Sequence, residues 1–229
     1  MNIHGLQKMT LLDFPGRVAC TVFLGGCDFN CPFCHNSDLI DGSAKPVMDD
    51  KELLSFLEKR KGLLDGVAFT GGEPTLRKDL ADLFRSVRAL GYPIKLDTNG
   101  NHPDRLKALL DEGLVDYVAM DVKNSPEKYA LTCGLDSMDL RPVEQSIDLL
   151  LHCSIDYEFR TTVIDELHEH ADFEKIGAWI RGAKAYYLQP FVDRDSVVYG
   201  SFHAPARSSM EMYETAVRKF VQYAAIRGM

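Results

Sequence analysis

The feature that most constrains the fold of this 229-residue chain is a repeated alternation of short β-rich runs with amphipathic helical segments. Apolar runs with strand propensity recur six times along the chain, and helical periodicity follows each of them. The predicted strands are 19–25, 66–70, 93–98, 116–121, 155–162 and 185–189. The alternation predicts an α/β fold with a parallel sheet and helices outside it. An incomplete β/α barrel and a doubly wound sheet fit equally well, because right-handed crossovers build both.

Capping residues and helix-ending glycines set the expected helix boundaries. A capping box is indicated by Asp49 with Glu52 at the first helix, and by Ser208 with Glu211 at the last. Between the start and the end of each predicted helix, apolar residues recur at helical spacing. The predicted helices are 49–62, 76–90, 103–113, 142–151, 171–181 and 208–224.

No linker, repeat or low-complexity segment divides the sequence, so we expect one domain over residues 1–229. Residues 1–18 precede the alternation as an N-terminal extension that adds a small strand or flap. Residues 191–229 form a C-terminal segment that contains the last helix. The apolar residues expected in the N-terminal strand or flap are Leu11, Leu12 and Phe14.

Composition excludes several classes of function. The chain has 26 Lys and Arg against 34 Asp and Glu, a formal net charge of −8, and no basic run that would neutralise nucleic-acid phosphates. No apolar stretch approaches the roughly 18 residues of a membrane span. Lys8, Asp13 and Arg17 interrupt any hydrophobic signal segment. We therefore expect a cytoplasmic protein without nucleic-acid or membrane partners, whose six cysteines are metal ligands, reactive thiols or core residues rather than disulfides.

Polar residues cluster at the carboxyl ends of the predicted strands. In β/α architectures the loops at these ends converge around the catalytic site. We therefore interpret the clusters as parts of one site. In strand order they are Cys27, Cys31 and Cys34; Gly71, Gly72 and Glu73; Asp97, Thr98 and Asn99; Asp121 and Lys123; Arg160; and Gln189.

The strongest single motif is the loop of Cys27, Cys31 and Cys34. Three cysteines on one short loop can direct their sulfurs to a common centre, whereas a strand would alternate them between faces. They suit a zinc site with a distant fourth ligand or an iron–sulfur cluster. Without a second C-x2-C or H-x3-H pair, a four-iron cluster with one open iron is favoured over zinc. The remaining cysteines are isolated and are interpreted as core residues: Cys20, Cys133 and Cys153.

At these motifs the sequence resembles the radical S-adenosylmethionine (SAM) superfamily. Its hallmark is a C-x3-C-x2-C loop with an aromatic residue before the last cysteine, here Phe33, and a GGE motif after the second strand, here 71–73. Residues 10–16 (TLLDFPG) and 23–36 further resemble the activating enzymes of glycyl-radical proteins. Among these, the chain is most like the activating proteins of anaerobic ribonucleoside-triphosphate reductase, with pyruvate formate-lyase activating enzymes as near neighbours. The family fold is a six-unit partial β/α barrel.

The resemblance implies a role for the cysteine loop and the GGE motif. The three loop cysteines hold a [4Fe–4S] cluster, and the amino and carboxylate groups of SAM chelate the fourth iron. Gly71, Gly72 and Glu73 meet the SAM amino group, because glycine permits close backbone approach and carbonyl and carboxylate oxygens accept its hydrogen bonds.

The resemblance also implies roles for charged residues further along the chain. Asp97 and Asp121 lie beside the ribose and methionine of SAM, where related activases also hold a monovalent cation. Lys123 and Arg160 face the methionyl carboxylate and the ribose through charge-assisted hydrogen bonds. Three more residues complete the cofactor-binding set: Phe33, Asn99 and Gln189.

The implied reaction is reductive cleavage of SAM to methionine and a 5′-deoxyadenosyl radical, which abstracts a glycine Cα hydrogen from a partner enzyme. The expected partner is anaerobic ribonucleoside-triphosphate reductase. The chain has no second cluster motif, so a flavodoxin or ferredoxin is the expected electron donor.

Three alternatives are open at this point. The chain could be a pyruvate formate-lyase-type activase, or a small-molecule radical SAM enzyme such as a 7-carboxy-7-deazaguanine synthase-like protein. A zinc-stabilised binding module is the non-enzymatic alternative. Val192 stands where pyruvate formate-lyase activating enzyme has a histidine, so no adenine contact is carried over. His35 is interpreted as a neighbour of the cluster or a surface residue. The histidines interpreted as surface or capping residues are His102, His152, His168 and His170.

Overall fold

The computed structural model describes residues 2–40, 43–194, 197 and 201–229. The chain divides into two compact units that each draw on several segments of the sequence. Unit 1 comprises Met1–Asp28, Asp38–Thr98 and His102–Val118. Unit 2 comprises Phe29–Ser37, Asn99–Asn101 and Ala119–Met229. The expectation of one domain stays a prediction.

The strands of unit 1 form two sheets. They are β1 (Asn2–Ile3), β2 (Gly5–Thr10), β3 (Ala19–Leu24), β4 (Met48–Asp49), β5 (Gly66–Gly71) and β6 (Ile94–Thr98). β1 and β4 pair as a two-stranded antiparallel sheet. The larger sheet has the order β2-β3-β5-β6, in which β2 is antiparallel to β3 and the other pairs are parallel. Mainly apolar runs form β3 and β5, as expected for parallel strands buried on both faces, whereas β6 also carries the charged residues Lys95 and Asp97.

Three α-helices accompany these strands: α1 (Asp50–Glu58), α2 (Leu80–Ala89) and α3 (Pro103–Asp111). The predicted capping box of α1 is present, with Asp49 and Glu52 each accepting from the other's backbone amide over 2.9 Å. α2 begins later than predicted, because Glu73 caps a separate 3-10 helix over Pro74–Leu76.

Unit 2 repeats the alternation. Its helices are α4 (Tyr129–Thr132), α5 (Arg141–His152), α6 (His170–Trp179) and α7 (Arg207–Arg218). Its strands are β8 (Asp156–Val163), β9 (Tyr186–Pro190), β10 (Ala224–Ile226) and the last three residues of β7 (Tyr117–Asp121), which begins in unit 1. They follow the order β7-β8-β9-β10, and the β8–β9 and β9–β10 pairs are parallel.

The predicted fold class is confirmed: the chain has an α/β fold with a mostly parallel sheet flanked by helices. All six predicted strands are present, as β3 and β5 to β9. Among the described residues, no helix has the length and apolar character needed to span a bilayer.

The small strand expected in the N-terminal extension is present as β2, although Leu11 and Leu12 follow it with 70% and 86% of their surface exposed. The bounds predicted for the last helix were wrong. The last helix, α7, has Ala206 rather than Ser208 as its N-cap and ends at Arg218, before the predicted Ala224.

The last helix ends early because other parts of unit 2 hydrogen-bond the residues that follow it. Gly182 N donates to Phe220 O and Gln222 N donates to Ala183 O, each over 2.9 Å. These bonds direct the chain into β10 beside β9. Tertiary contacts thus override the helical spacing of the apolar residues.

Candidate functional site

The cysteine loop leaves β3 in unit 1 and continues in unit 2 from Phe29 onward. In unit 2 a tight turn forms where Cys34 N donates to Cys31 O over 3.1 Å. Asn36 N donates to Cys34 Sγ over 3.4 Å. All six cysteines are reduced rather than joined in disulfides. The second and third motif cysteines therefore lie on one ordered turn.

Phe33 anchors this turn in an apolar cluster of unit 2. It is buried with Ile164 and Phe191, and Cys31 packs against the same cluster. The Phe33 ring also meets the edge of Phe202 at a centroid distance of 6.4 Å. The aromatic residue of the motif thus packs around the cysteine turn, where it limits the access of water.

In unit 1 the GGE motif lies against the backbone that leads into Cys27. Gly72 N donates to Leu24 O over 2.9 Å, and Glu73 N donates to Gly26 O over 2.7 Å. A Cβ atom on Gly72 would lie 2.0 Å from Gly26 O and 3.3 Å from Cys27 N. Only glycine permits this approach, so the structure brings the GGE motif and the first cysteine together within unit 1.

The Glu73 side chain, with 1% of its surface exposed, connects the ends of β5 and β6. Its Oε1 atom accepts a hydrogen bond from Thr98 Oγ1 over 2.8 Å and from Thr75 N over 3.0 Å. Burial of a carboxylate requires such partners. The contact of Glu73 with the SAM amino group stays a prediction, and the role of Thr75 was missed by sequence reasoning.

Asp97 of β6 has a basic partner on its own strand. Lys95 is buried and forms an ion pair with Asp97. Its ammonium also lies 5.9 Å from the ring centre of Tyr117. Sequence reasoning missed Lys95, although a lysine two residues before an aspartate in a buried strand lies on the same face and needs a partner there.

In unit 2 the structure brings three predicted residues together. Lys123 Nζ lies 2.9 Å from Asp121 Oδ2, and Arg160 donates to Asp121 Oδ1 from Nε over 3.0 Å. The exposed fractions of the Asp121, Lys123 and Arg160 side chains are 30%, 15% and 14%. This is a largely buried network rather than a solvated surface pair.

The charges in this network shift each other's pKa. Burial would raise the pKa of Asp121, but the charges of Arg160 and Lys123 outweigh it and hold that pKa well below its usual range. Burial disfavours the charged form of Lys123, but Asp121 raises the pKa of the lysine well above its usual value. All three side chains are therefore charged at neutral pH.

The same network acts on the cysteine turn. A hydrogen bond from Cys133 lowers the pKa of Cys31, and the charge of Lys123 adds to this effect against burial. Burial raises the pKa of Cys34, although the charge of Lys123 partly counteracts it. Lys123 thus lies close enough to favour the thiolate form of both cysteines, the form that binds metals.

His168 corrects a prediction, because it is buried rather than at the surface. Its Nε2 atom donates to Lys123 O over 2.9 Å, and Ile164 N donates to its Nδ1 over 3.2 Å. The Nε2–H tautomer of the neutral ring satisfies both bonds, and burial lowers the pKa of His168. The ring therefore fixes the backbone that carries Lys123.

The other histidines lie mostly at the edges of elements. His35 Nε2 donates to Val192 O over 2.6 Å, and its ring stacks on Phe191 at 5.5 Å between centroids. His102 is the N-cap residue of α3 and lies 3.1 Å from Asp28. His152 and His170 occupy the last position of α5 and the first position of α6.

Two predicted residues lie at strand ends in unit 2. Asn99 is buried, and its Oδ1 accepts from Asn101 N over 2.9 Å. Gln189 is the residue before the last in β9 and pairs in register with Thr162. Their contacts with a cofactor stay predictions.

The donor set suits an iron–sulfur cluster. Within the part of the chain that the structure describes, no three His, Cys, Asp or Glu side chains converge on a single ion. A [4Fe–4S] cluster does not require such convergence, because each thiolate binds a different iron. Three reduced cysteines on one loop, two of them influenced by the charge of Lys123, can provide the anionic sulfur ligands that a cluster needs.

Comparison with known families assigns the chain to a class. The model of the radical SAM superfamily matches residues 21–176. The chain belongs to this superfamily, whose members use a [4Fe–4S] cluster and SAM.

Within that class the chain is related to glycyl-radical enzyme activating enzymes. It is 28% identical over 231 residues to a Methanocaldococcus jannaschii protein provisionally named glycyl-radical enzyme activating enzyme MJ1227, covering 98% of this chain and 95% of that protein. It is 32% identical over 128 residues to the pyruvate formate-lyase-activating enzyme of Clostridium pasteurianum, covering 54% of this chain and 52% of that enzyme. The chain thus matches nearly all of the first relative and about half of the second.

Solved structures share the fold. SuiB of Streptococcus suis superposes with a TM-score of 0.70 at 12% identity, over 91% of this chain and 48% of SuiB. A domain of a pyruvate-formate lyase-activating enzyme from Bacteroides vulgatus superposes with a TM-score of 0.58 at 16% identity, over 71% of this chain and 99% of that domain. The chain is a radical SAM enzyme with this α/β fold.

Proposed function

We propose that the chain is an activase that cleaves SAM reductively and generates a glycyl radical on a partner enzyme, anaerobic ribonucleoside-triphosphate reductase. The observation that carries the activase assignment is the end-to-end match with a relative of that name. The choice of reductase as partner rests on the resemblance of the N-terminal motif.

The proposed cluster ligands are Cys27, Cys31 and Cys34. When bound, the cluster supplies the electron that breaks a C–S bond of SAM and releases the 5′-deoxyadenosyl radical. The chain's own residues bind SAM and orient it.

In unit 1 the backbone of the GGE motif accepts the SAM amino group. Gly72 has no side chain to block that approach, and Glu73 holds the ends of β5 and β6 together through Thr98. A buried carboxylate also adds negative potential that favours an ammonium-type donor. In this proposal the turn after β5 positions the methionine part of SAM.

In unit 2 Lys123 and Arg160 bind anionic and hydroxyl oxygens of SAM. Asp121 orients both cations by hydrogen bonds at about 3 Å. The aromatic cluster around Phe33 limits water at the cysteine turn. Predicted contacts of Asn99 and Gln189 with SAM belong to the same proposal.

Activation of the candidate reductase tests the function. Anaerobically reconstituted protein, SAM, a one-electron reductant and the reductase subunit should give a glycine-centred doublet in electron paramagnetic resonance. A subunit with its radical glycine replaced by alanine is the matched control. Cleavage of SAM without a doublet on any glycyl-radical subunit would remove the activase assignment.

Pyruvate formate-lyase is the second candidate partner, favoured by the 32% identity with the Clostridium pasteurianum activase. The same assay with that lyase separates the two partners. Small-molecule chemistry is the further alternative, and a stretch of the chain is 30% identical over 126 residues to a GTP 3′,8-cyclase of Pyrococcus abyssi. Turnover of a purine nucleotide or a deazaguanine precursor, with no protein radical, would favour that alternative.

A flavodoxin or ferredoxin is the proposed electron donor. A monovalent cation beside Asp97 and Asp121 is the further cofactor proposal. Both carboxylates already have basic partners, which are Lys95 for Asp97 and Lys123 for Asp121. SAM cleavage in potassium, sodium or tetramethylammonium buffer tests the site. A requirement for potassium or sodium supports it, whereas equal rates in all three buffers argue against it.

A further inference from the structure

Cys133 lies beside the cysteine turn of unit 2, although the sequence places it far from the motif. It follows the short helix α4 as its C-cap residue and is fully buried. Thr132 Oγ1 fixes the helix end by accepting from Asn124 Nδ2 and donating to Lys128 O, each over 2.9 Å. The position of Cys133 is therefore set by a hydrogen-bonded helix end.

The backbone around Cys133 is in direct contact with the cysteine loop. Asn30 N donates to Cys133 O over 2.9 Å. A Cβ atom on the next residue, Gly134, would lie 2.0 Å from Asn30 O. A side chain at 134 would separate the two segments, so glycine here permits the contact that brings Cys133 to the loop.

The side chains of Cys133 and Cys31 are hydrogen-bonded to each other within this contact. The ammonium of Lys123 acts on both sulfurs from the same unit. A Cys31 sulfur that binds iron carries no proton, so in the proposed cluster Cys133 is the donor and Cys31 the acceptor, which is the arrangement of an outer partner that stabilises an anionic metal ligand.

We infer that Cys133 is a positioning residue for the iron–sulfur cluster, whose thiol donates a hydrogen bond to the Cys31 ligand and raises the reduction potential of the bound cluster. The inference rests on the proposed function, because it requires Cys31 to be a cluster ligand. Hydrogen bonds to cluster sulfurs stabilise the more negative, reduced state. Loss of the donor therefore makes the cluster harder to reduce.

Substitutions at Cys133 test this role through the cluster potential. The readouts are the midpoint potential of the SAM-free cluster, followed by electron paramagnetic resonance, and the iron and sulfide content per chain. Cys133→Ala should shift the potential to more negative values at unchanged iron content. Cys133→Ser should shift the potential in the opposite direction, to less negative values, because a hydroxyl is a stronger donor than a thiol. Cys153→Ala, at the distant end of α5, is the matched control and should leave the potential unchanged.

The outcomes separate the inference from the proposed function. A wild-type protein that assembles no cluster overturns both. A wild-type cluster that cleaves SAM, with Ala and Ser variants at the wild-type potential, overturns the inference alone. Loss of iron in both variants would make Cys133 a ligand and would also overturn it.

A measurement on the wild-type protein covers the case in which the variants do not fold. The reduced cluster prepared in D2O should show an exchangeable deuteron in electron-nuclear double resonance, contributed by the Cys133 thiol. Absence of such a deuteron in the wild-type protein contradicts the inference.

Discussion

Asp121 is the residue on which the charged part of unit 2 depends. Its carboxylate bonds both Lys123 and Arg160, whose side chains are mostly buried. Two cations removed from water without a counter-charge would be strongly unfavourable. The aspartate therefore stabilises the folded protein and, in the proposed function, also orients the two cations that bind SAM.

Replacement of this carboxylate should destabilise the apoprotein. Asp121→Asn removes the carboxylate that pairs with both cations, so we expect a loss of about 1–3 kcal/mol in the free energy of unfolding. This is below the full cost of breaking a buried pair because the site is partly exposed. Urea denaturation followed by circular dichroism measures it. The double variant Asp121→Asn/Arg160→Gln should regain part of the loss. Asp139→Asn, which removes the exposed pair with Arg141, is the control and should change little.

His168 predicts a pH dependence of stability. Burial lowers the pKa of His168 in the folded protein below the value of about 6.5 that it has when unfolded. As the pH falls through 6.5, the unfolded chain binds the proton first, so stability is present above that pH and decreases below it. Urea midpoints between pH 7.5 and 5.5 should fall more steeply for the wild type than for His168→Gln. Equal slopes would contradict the prediction.

At the scale of elements, the C-terminal strand β10 is held by a buried ion pair. Arg227 follows β10 and donates two hydrogen bonds of 2.8 Å to Glu158 of β8, whose side chain is 1% exposed. The guanidinium also lies 3.6 Å from the ring centre of Tyr187 in β9. This contact explains how a three-residue strand is retained at the sheet edge.

Removal of the guanidinium should therefore destabilise the end of unit 2. Arg227→Met removes the guanidinium that pairs with the buried Glu158 carboxylate, at an expected cost of about 2–4 kcal/mol in the free energy of unfolding. Thermal and urea unfolding measure this cost. Glu158→Gln combined with Arg227→Met should recover stability, since no buried charge remains. If the single and double variants are equally stable, the pair does not contribute as described.

The elements that sequence patterns predicted correctly have local causes. β5 is a continuous apolar run between glycines, and the capping box at Asp49 starts α1 by contacts three residues apart. β10 and the early end of α7 were not predictable in this way. Their residues form hydrogen bonds with Gly182, Ala183 and β9, which are distant in the sequence, so no local pattern predicts β10 or the end of α7.

At the level of the whole protein, the proposed function requires two cofactors that depend on each other. In that proposal the cysteine loop holds the cluster, and SAM completes it by chelating the open iron. SAM binding should therefore require the cluster. Ligand that binds only the folded form stabilises it by mass action.

This dependence predicts a cluster-specific effect of SAM on thermal stability. SAM at 100 times its Kd should stabilise the reconstituted protein by about 2.7 kcal/mol. The expected result in an anaerobic melting experiment is an increase in Tm with the cluster present and a much smaller change without it. Cys34→Ser should lose the increase, and Cys153→Ala should keep it. An equal increase in the protein without cluster would contradict the prediction.

The alternation of strands and helices, the cysteine loop and the GGE motif could all be predicted from the sequence, because each depends on neighbouring residues. The contact of Cys133 with the cysteine loop, the burial of His168 beneath Lys123 and the bond between Glu73 and Thr98 became visible only in the folded structure. These contacts join residues far apart in the chain, so no local pattern predicts them. A buried polar group needs a hydrogen-bond partner, and only the packed fold determines which groups are buried.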